Sequence, residues 1–308
     1  MIFNVIANII FILVMPFLFL GVINRIKSFW AGRQGPPLFQ PLFDFLRLLK
    51  KGIVISRTTT ALFYWAPLAA LLAVLAAAFL TPMAGGRSMI GFEGDMVVFL
   101  YLLGTAKFIN IASAMDTGSS FEGMGAAREA AFTSLIEPAF FIIMGTVTAV
   151  SGAADFSGIK DLINTGETPA VLAASLCGAA LFIMLLTEGS RIPVDDPNTH
   201  LELTMIHEVM VLDNSGPDLA VINYTAGLKM FLITSIMANF LTPAGLNPFM
   251  AGLLFTAIIF TAAILTGCVE SFMARLRMSH VPQFVFFMIS IAIVAFSIAF
   301  LMMNGGLK

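Results

Sequence analysis

Charge is what this sequence lacks. Only 11% of its 308 residues are Asp, Glu, Lys or Arg, 59% are hydrophobic, and the mean hydropathy is +0.96. A water-soluble fold of this length needs far more polar surface, so that class is excluded. Cysteine is also scarce. Cys177 and Cys268 sit in apolar stretches without metal-ligand spacing, which reads as two buried thiols and leaves no iron–sulfur or zinc site in the chain. His200 and His207 are seven residues apart; on a helix they share a face but stand about 10 Å apart, too far for one ion without a third ligand. They do not form a His-Glu-x-x-His zinc pattern, so no metal site is expected. A Gly-rich phosphate loop, a Ser/His/Asp arrangement and a basic face for nucleic acid are all missing.

What is present is a series of apolar runs about twenty residues long, the length that spans a hydrocarbon core. They fall at about 2–24, 61–82, 94–115, 131–151, 169–188, 220–241, 247–268 and 283–303. The first run is too long for the core of a cleavable signal and has no basic segment before it, so it reads as a transmembrane helix. The chain shows no internal repeat, which argues against an inverted-repeat transporter. The expected fold is an all-α integral membrane protein of about eight transmembrane helices, with residues 1–308 forming a single polytopic membrane domain.

Eight spans put both termini on one side. The connections at 25–60, 116–130, 189–219 and 269–282 lie on the other, and they hold 11 Lys and Arg: Arg25, Lys27, Arg33, Arg47, Lys50, Lys51, Arg57, Arg128, Arg191, Arg275 and Arg277. The terminal side holds Arg87, Lys160 and Lys308. The positive-inside rule then predicts cytoplasmic loops and outside termini in the cell's inner (cytoplasmic) membrane. Within the first loop, residues 38–51 carry Gln40, Asp44, Arg47 and Lys51 as one narrow polar stripe on a Leu- and Phe-rich cylinder, with Pro41 near its start. Such a segment predicts a cytoplasmic interfacial amphipathic helix.

Ionisable residues at membrane depth cost at least ~2.5–3.5 kcal/mol each on insertion scales, so they face the bundle interior or a watery path unless they snorkel to an interface. Lys107, Lys229 and Glu137 lie inside spans, while Glu188 and Glu270 close spans. The loop at 188–219 adds Asp195, Asp196, Glu202, Glu208, Asp213 and Asp218, so about seven carboxylates accompany a single arginine, Arg191. Carboxylates crowded at a membrane edge repel one another and favour sharing of protons. The same composition also suits a solvated acidic loop or a docking patch for a basic partner.

The run Leu186-Thr187-Glu188-Gly189-Ser190-Arg191-Ile192-Pro193-Val194-Asp195-Asp196-Pro197 resembles the signature loop of the quinone-pocket membrane subunit of respiratory complex I, with Glu188, Arg191, Pro193, Asp195 and Pro197 at the matching positions. Two further motifs match in order. One is Gly125-Ala126-Ala127-Arg128 with Glu137 nine residues beyond Arg128; the other is Gly35-Pro36 followed by Gln40-Pro41-Leu42 and Asp44. The sequence departs from that pattern where Asn198 and His200 replace two acids, leaving Glu202, and where the first loop is short, with Gly35-Pro36-Pro37. The stretch from Pro197 to Glu208, together with Asp116-Thr117-Gly118-Ser119 and the Glu270…Ala274-Arg275 pair, resembles the branch found in group 4 membrane-bound nickel–iron (NiFe) hydrogenases and formate hydrogenlyase-like complexes.

That resemblance implies a membrane anchor and ion-coupling subunit with no cofactor of its own. The NiFe centre and iron–sulfur clusters are expected on partners: hydrogenase-like large and small soluble subunits, an iron–sulfur subunit and antiporter-like membrane subunits. In this reading 188–219 is an acidic coupling loop. Asp195, Asp196, Glu202 and Glu208 relay a proton, Glu188, Glu137, Lys107 and Lys229 carry it at membrane depth, and Arg128 and Arg191 pair with carboxylates. His200, His207, Asp213, Arg33 and Asp44 are candidate partner contacts. Two other functions fit the residues: a quinone-binding subunit, which predicts a lipophilic tunnel between span one and the interfacial helix, and a stand-alone secondary ion transporter.

Overall fold

The computed structural model describes residues 2–83, 88–156, 158–159, 168–196, 205–243 and 245–304, with side chains from Ile6 and then Asn8 onward. Its helices are α1 (Ile2–Trp30), α2 (Gln40–Leu49), α3 (Ala61–Leu80), α4 (Asp95–Asp116), α5 (Ser120–Ser151), α6 (Thr168–Glu188), the short α7 (His207–Met210), α8 (Pro217–Leu241), α9 (Pro248–Phe272) and α10 (Val281–Met303), the last preceded by a 3₁₀ turn at Met278–His280. Among the described residues eight helices are long and apolar enough to cross a membrane. Each predicted span falls on one of them. The main departure is α5, which starts eleven residues before the predicted 131. Residues 120–130 are rich in Gly and Ala and carry Glu122, Arg128 and Glu129, so they add helix without adding hydropathy.

The spans alternate in direction. The ends of α1, α4, α6 and α9 and the starts of α3, α5, α8 and α10 gather on one face, here called the loop face. There Val54 N–H donates to Ser215 Oγ at 3.0 Å, Leu276 N–H to the Pro193 carbonyl at 2.8 Å, and Asp116 accepts from Thr60 N–H at 2.7 Å. On the opposite face Asp95 Oδ1 accepts from Phe156 N–H at 2.9 Å, and Asn239 Nδ2 donates to the Pro82 carbonyl at 2.8 Å. Two helices form the middle: 67% of the apolar windows of α6 and α8 is buried, against 28–39% for the other spans. Helices enclosed in this way are apolar all round, and membrane helices pack by close contact of small and polar residues rather than by a hydrophobic stripe. Asn239, Ser235 and Thr234 on α8 are fully enclosed and hydrogen-bond within the bundle.

Helix α2 is the predicted amphipathic segment, shorter than 38–51. Pro41 occupies its first turn, and Gln40 Nε2 donates to Asp44 Oδ1 at 2.9 Å along the polar stripe. It lies against α1 and α8 and leaves Phe43, Leu46 and Leu49 exposed. The approach of α1 to this segment requires glycine at position 21, because a Cβ there would collide with the Leu38 carbonyl. A second close approach fixes the loop between α6 and α8. At Gly125 of α5 a Cβ would run into Val209 of α7 and stand 2.9 Å from the Ile206 carbonyl, so α7 is pressed onto the α5 backbone.

Candidate functional site

Four helices converge on one group of buried charges. Lys107 of α4 places its Nζ 2.7 Å from Oε1 of Glu188 at the end of α6 and 3.0 Å from Oε1 of Glu129 on α5, and donates to Thr133 Oγ1 at 2.8 Å. Lys229 of α8 reaches the other oxygen of Glu188 at 3.3 Å. Two ammonium groups and two carboxylates cancel, which is how four ionisable residues are tolerated inside a bundle where a lone charge is costly. Glu129 was not among the candidates read from the sequence. Its signal was the spacing Glu129, Thr133, Glu137, three polar positions four residues apart on one stripe of α5.

A second group sits at the loop face. Glu270 of α9 receives Lys27 of α1 on Oε2 at 2.6 Å, a contact made by charge without hydrogen-bond alignment, and Arg191 on Oε1 at 3.3 Å. Arg191, the acidic loop's one arginine, is thus directed to α9, and among the described residues its ion pair is with Glu270. Asp195 is almost fully enclosed. Its Oδ1 lies 2.9 Å from Arg275 and accepts from Asp196 N–H, while its Oδ2 accepts from Ile206 N–H at 3.0 Å and His207 N–H at 3.1 Å. Arg128 donates to the Met205 carbonyl at 2.9 Å, holding α5 to the loop. Glu122, also unforeseen, is buried and accepts from Asp213 N–H at 2.9 Å.

Cavities lie beside the buried charges. One of about 260 Å³ lies between α1, α2, α8 and the loop; Phe17, Leu20, Phe45 and Tyr224 give it apolar walls, and Asp44, Arg191, Asp195, His207 and Glu208 give it polar ones. A cavity of about 20 Å³, room for one water, lies between Lys107, Asn110, His207 and Lys229. A still smaller space of about 10 Å³ joins Asp195 and Ser190 to Lys107 and Glu129. His207 and Asp195 therefore each line the large cavity and a small one beside the buried lysines.

The remaining candidates are dispersed. His207, a candidate partner contact, is half-buried and lines two of the cavities, and its backbone N–H is held by Asp195. Arg33, Asp44 and Asp213 are exposed. Asp196 and Glu208 are half-buried. Glu137 is half-buried one helical turn beyond Thr133, against Gly104 of α4, and is not a member of the cluster. His200 and Glu202 lie outside the described residues. Among the described residues no three His, Cys, Asp or Glu side chains come together to hold a metal, and Cys177 and Cys268 are free thiols, the second accepting from the Trp30 indole N–H at 3.4 Å.

Fold and site together define a polytopic helical membrane protein with a neutral charge cluster inside its bundle and a capped polar loop over it. The chain belongs to the NADH dehydrogenase family, whose model matches residues 3–301. It is 28% identical to formate hydrogenlyase subunit 4 of Escherichia coli (strain K12) over 287 residues, 90% of this chain and 91% of the relative. Identity to hydrogenase-4 component C of the same organism is 28% over 242 residues, 78% of this chain and 75% of that one. A subunit of the NADH-quinone oxidoreductase of Rickettsia canadensis (strain McKiel) is 24% identical over 233 residues, 73% and 68% of the two chains. The fold matches a chain in the structure of the membrane-bound sulfane sulfur reductase, an archaeal respiratory membrane complex, with a TM-score of 0.81 at 18% identity, covering 97% of this chain and 99% of that one.

Proposed function

We propose that this chain is the membrane-anchor and ion-coupling subunit of a group 4 hydrogenase or formate hydrogenlyase-like complex. Its relatives among hydrogenase-4 and formate hydrogenlyase subunits support the class. The observation that carries the coupling role is Glu188, with one lysine on each carboxylate oxygen and a competing carboxylate, Glu129, beside the first lysine. A proton delivered to Glu188 weakens its hold on both lysines and lets Lys107 move fully to Glu129. Charge rearrangement at the loop thereby becomes charge rearrangement inside the membrane. The way in runs from the large cavity past Asp195 and His207; Asp196 and Glu208 collect protons there, and Glu202 of the same connection is assigned to the relay from its place in the sequence. The redox module, with its large, small and iron–sulfur subunits, sits over the loop face, and the 11 Lys and Arg of its connections support a cytoplasmic side for it. Antiporter-like membrane subunits carry the ion, proton or sodium, across.

The test is the complex reconstituted in sealed vesicles, with redox turnover and ion uptake read together. Glu188→Gln is expected to abolish ion uptake per electron while hydrogen or electron chemistry continues. Normal uptake per electron in an assembled Glu188→Gln complex overturns the role.

One observation favours a second reading. The large cavity lies between α1 and α2, the position a quinone-type tunnel requires, and one side of it is apolar. In that reading a lipophilic electron carrier enters there and meets His207 and Asp195. Quinone-site inhibitors stop turnover in the second reading and leave it unchanged in the first.

A further inference from the structure

Glu137 stands apart from every other membrane-depth charge. Among the described residues it makes no hydrogen bond or ion pair, whereas Lys107, Glu129, Glu188 and Lys229 are all paired. Its Oε1 lies against Gly104, 3.4 Å from where a Cβ would stand. Gly104 is nine residues from one end of α4 and twelve from the other, about 13 and 18 Å by helical rise. That is the middle of a span, and a glutamate is too short to snorkel from it to either interface.

The surroundings open outward. On α4 Tyr101, Thr105 and Phe108 are exposed, and on α5 Ser134, Pro138 and Phe141. The exposed aliphatic hydroxyls are committed to their own helices: Thr105 donates to the Tyr101 carbonyl at 2.7 Å and Ser134 to the Ala131 carbonyl at 2.8 Å. The Tyr101 phenol is a neutral donor and cannot balance a carboxylate's charge, so among the described residues the groove between α4 and α5 presents a mid-depth carboxylate, mostly apolar flanks and no free cation.

We propose that this α4–α5 groove is the lateral seat of a transmembrane helix from a different membrane subunit, and that this helix carries a basic side chain at mid-depth that pairs with Glu137. Charge complementarity selects the occupant. Lipid tails offer no donor. A second copy of this chain has Lys107 and Lys229 at that depth, and both are engaged in its own cluster. The proposal rests on the subunit reading in supposing a membrane-embedded partner.

The experiment uses the whole complex in its native membrane. A photoreactive phenylalanine analogue replaces Phe108, which is outward-facing and 70% exposed. The expected adduct is with one transmembrane peptide of another subunit, with Lys, Arg or His within a helical turn of the cross-linked residue. Glu137→Ala is expected to lower co-purification of that subunit about tenfold, the effect of one buried polar contact between membrane helices. Exchanging the charges, Glu137→Lys with Glu at the partner's basic position, restores it. Cross-links only to lipid, to a second copy, or to a helix without a basic residue overturn the proposal, as does co-purification unchanged in Glu137→Ala. None of these readouts measures ion movement, so the seat and the coupling role fail separately.

Discussion

Glu188 and Glu270 each receive two cations, one on each carboxylate oxygen, yet their surroundings differ. Around Glu188 the cations come from two spans, α4 and α8, and one of them, Lys107, has a second carboxylate and a hydroxyl within 3.0 Å. Around Glu270 the cations are Lys27, whose side chain is 22% exposed, and Arg191 from the loop, and no second carboxylate shares them among the described residues. Asp195 resembles Glu270: its oxygens are spent on three backbone N–H groups and Arg275. The first arrangement has alternatives of similar geometry and can switch. The second has one arrangement and clamps. On the proposed coupling role, the comparison separates residues placed to move charge from residues placed to hold the loop.

The largest expected effect comes from emptying the switch. Glu188→Ala leaves Lys229 without a partner and Lys107 with only Glu129. Removing one member of a buried ion pair typically costs about 3–5 kcal/mol. The variant is expected to lose assembly in thermal-stability measurements on the detergent-extracted complex. Glu188→Gln keeps the volume and two hydrogen-bonding atoms, so it is expected to assemble and fail in ion uptake. A Glu188→Ala complex as stable as the native one would show that the cluster is solvated, not buried.

Next is the clamp. Asp195→Asn must turn an amide nitrogen toward either Arg275 or the N–H groups of Ile206 and His207, losing charge-assisted hydrogen bonds worth roughly 1.5–3 kcal/mol each. The expected result is faster amide hydrogen exchange at 205–210 and a slower turnover, with the ions moved per electron unchanged. If that ratio falls as it does for Glu188→Gln, Asp195 belongs to the switch and the contrast between the two groups collapses.

The sequence exposed these features unevenly. The spans were legible because twenty apolar residues in a row have one physical use, and α2 because its polar stripe has helical period. The start of α5 was not legible, since Gly- and Ala-rich helix carries no hydropathy signal. Lys107, Lys229 and Glu188 were legible as costly charges at depth, but their mutual pairing depends on how α4, α6 and α8 rotate against one another. Arg191 and Glu270 are 79 residues apart, and nothing local to either names the other. That Asp195 is enclosed and holds the N–H groups of Ile206 and His207 is not visible in a reading of the loop as solvated acid, because the bonds span eleven and twelve residues.

A smaller effect is expected from Glu270→Gln. The amide keeps a hydrogen-bonding oxygen for one cation, and Lys27 can turn to water, so the loss is about 1–2 kcal/mol. It is expected as a modest drop in melting temperature of the complex with uptake per electron unchanged. Combined with Asp195→Asn it tests whether the two clamps act on one loop, because residues holding a common element are non-additive.

The smallest effect is expected at Asp213, and it decides what acidity in this loop is for. Its carboxylate is exposed, and among the described residues it is held by its backbone N–H, which donates to Glu122. Asp213→Ala leaves that N–H in place, so stability should change by no more than about 0.5 kcal/mol. If the loop worked as a diffuse acidic surface collecting protons or docking a basic partner, every exposed acid would contribute. Asp213→Ala would then slow turnover or weaken subunit retention, and raising the salt concentration would do the same to the native complex. If the loop works through the few acids turned inward, Asp213→Ala matches the native complex in turnover, uptake and retention, while Asp195→Asn does not. The two variants remove one negative charge each from the same connection, so any difference between them measures burial and hydrogen bonding rather than net charge.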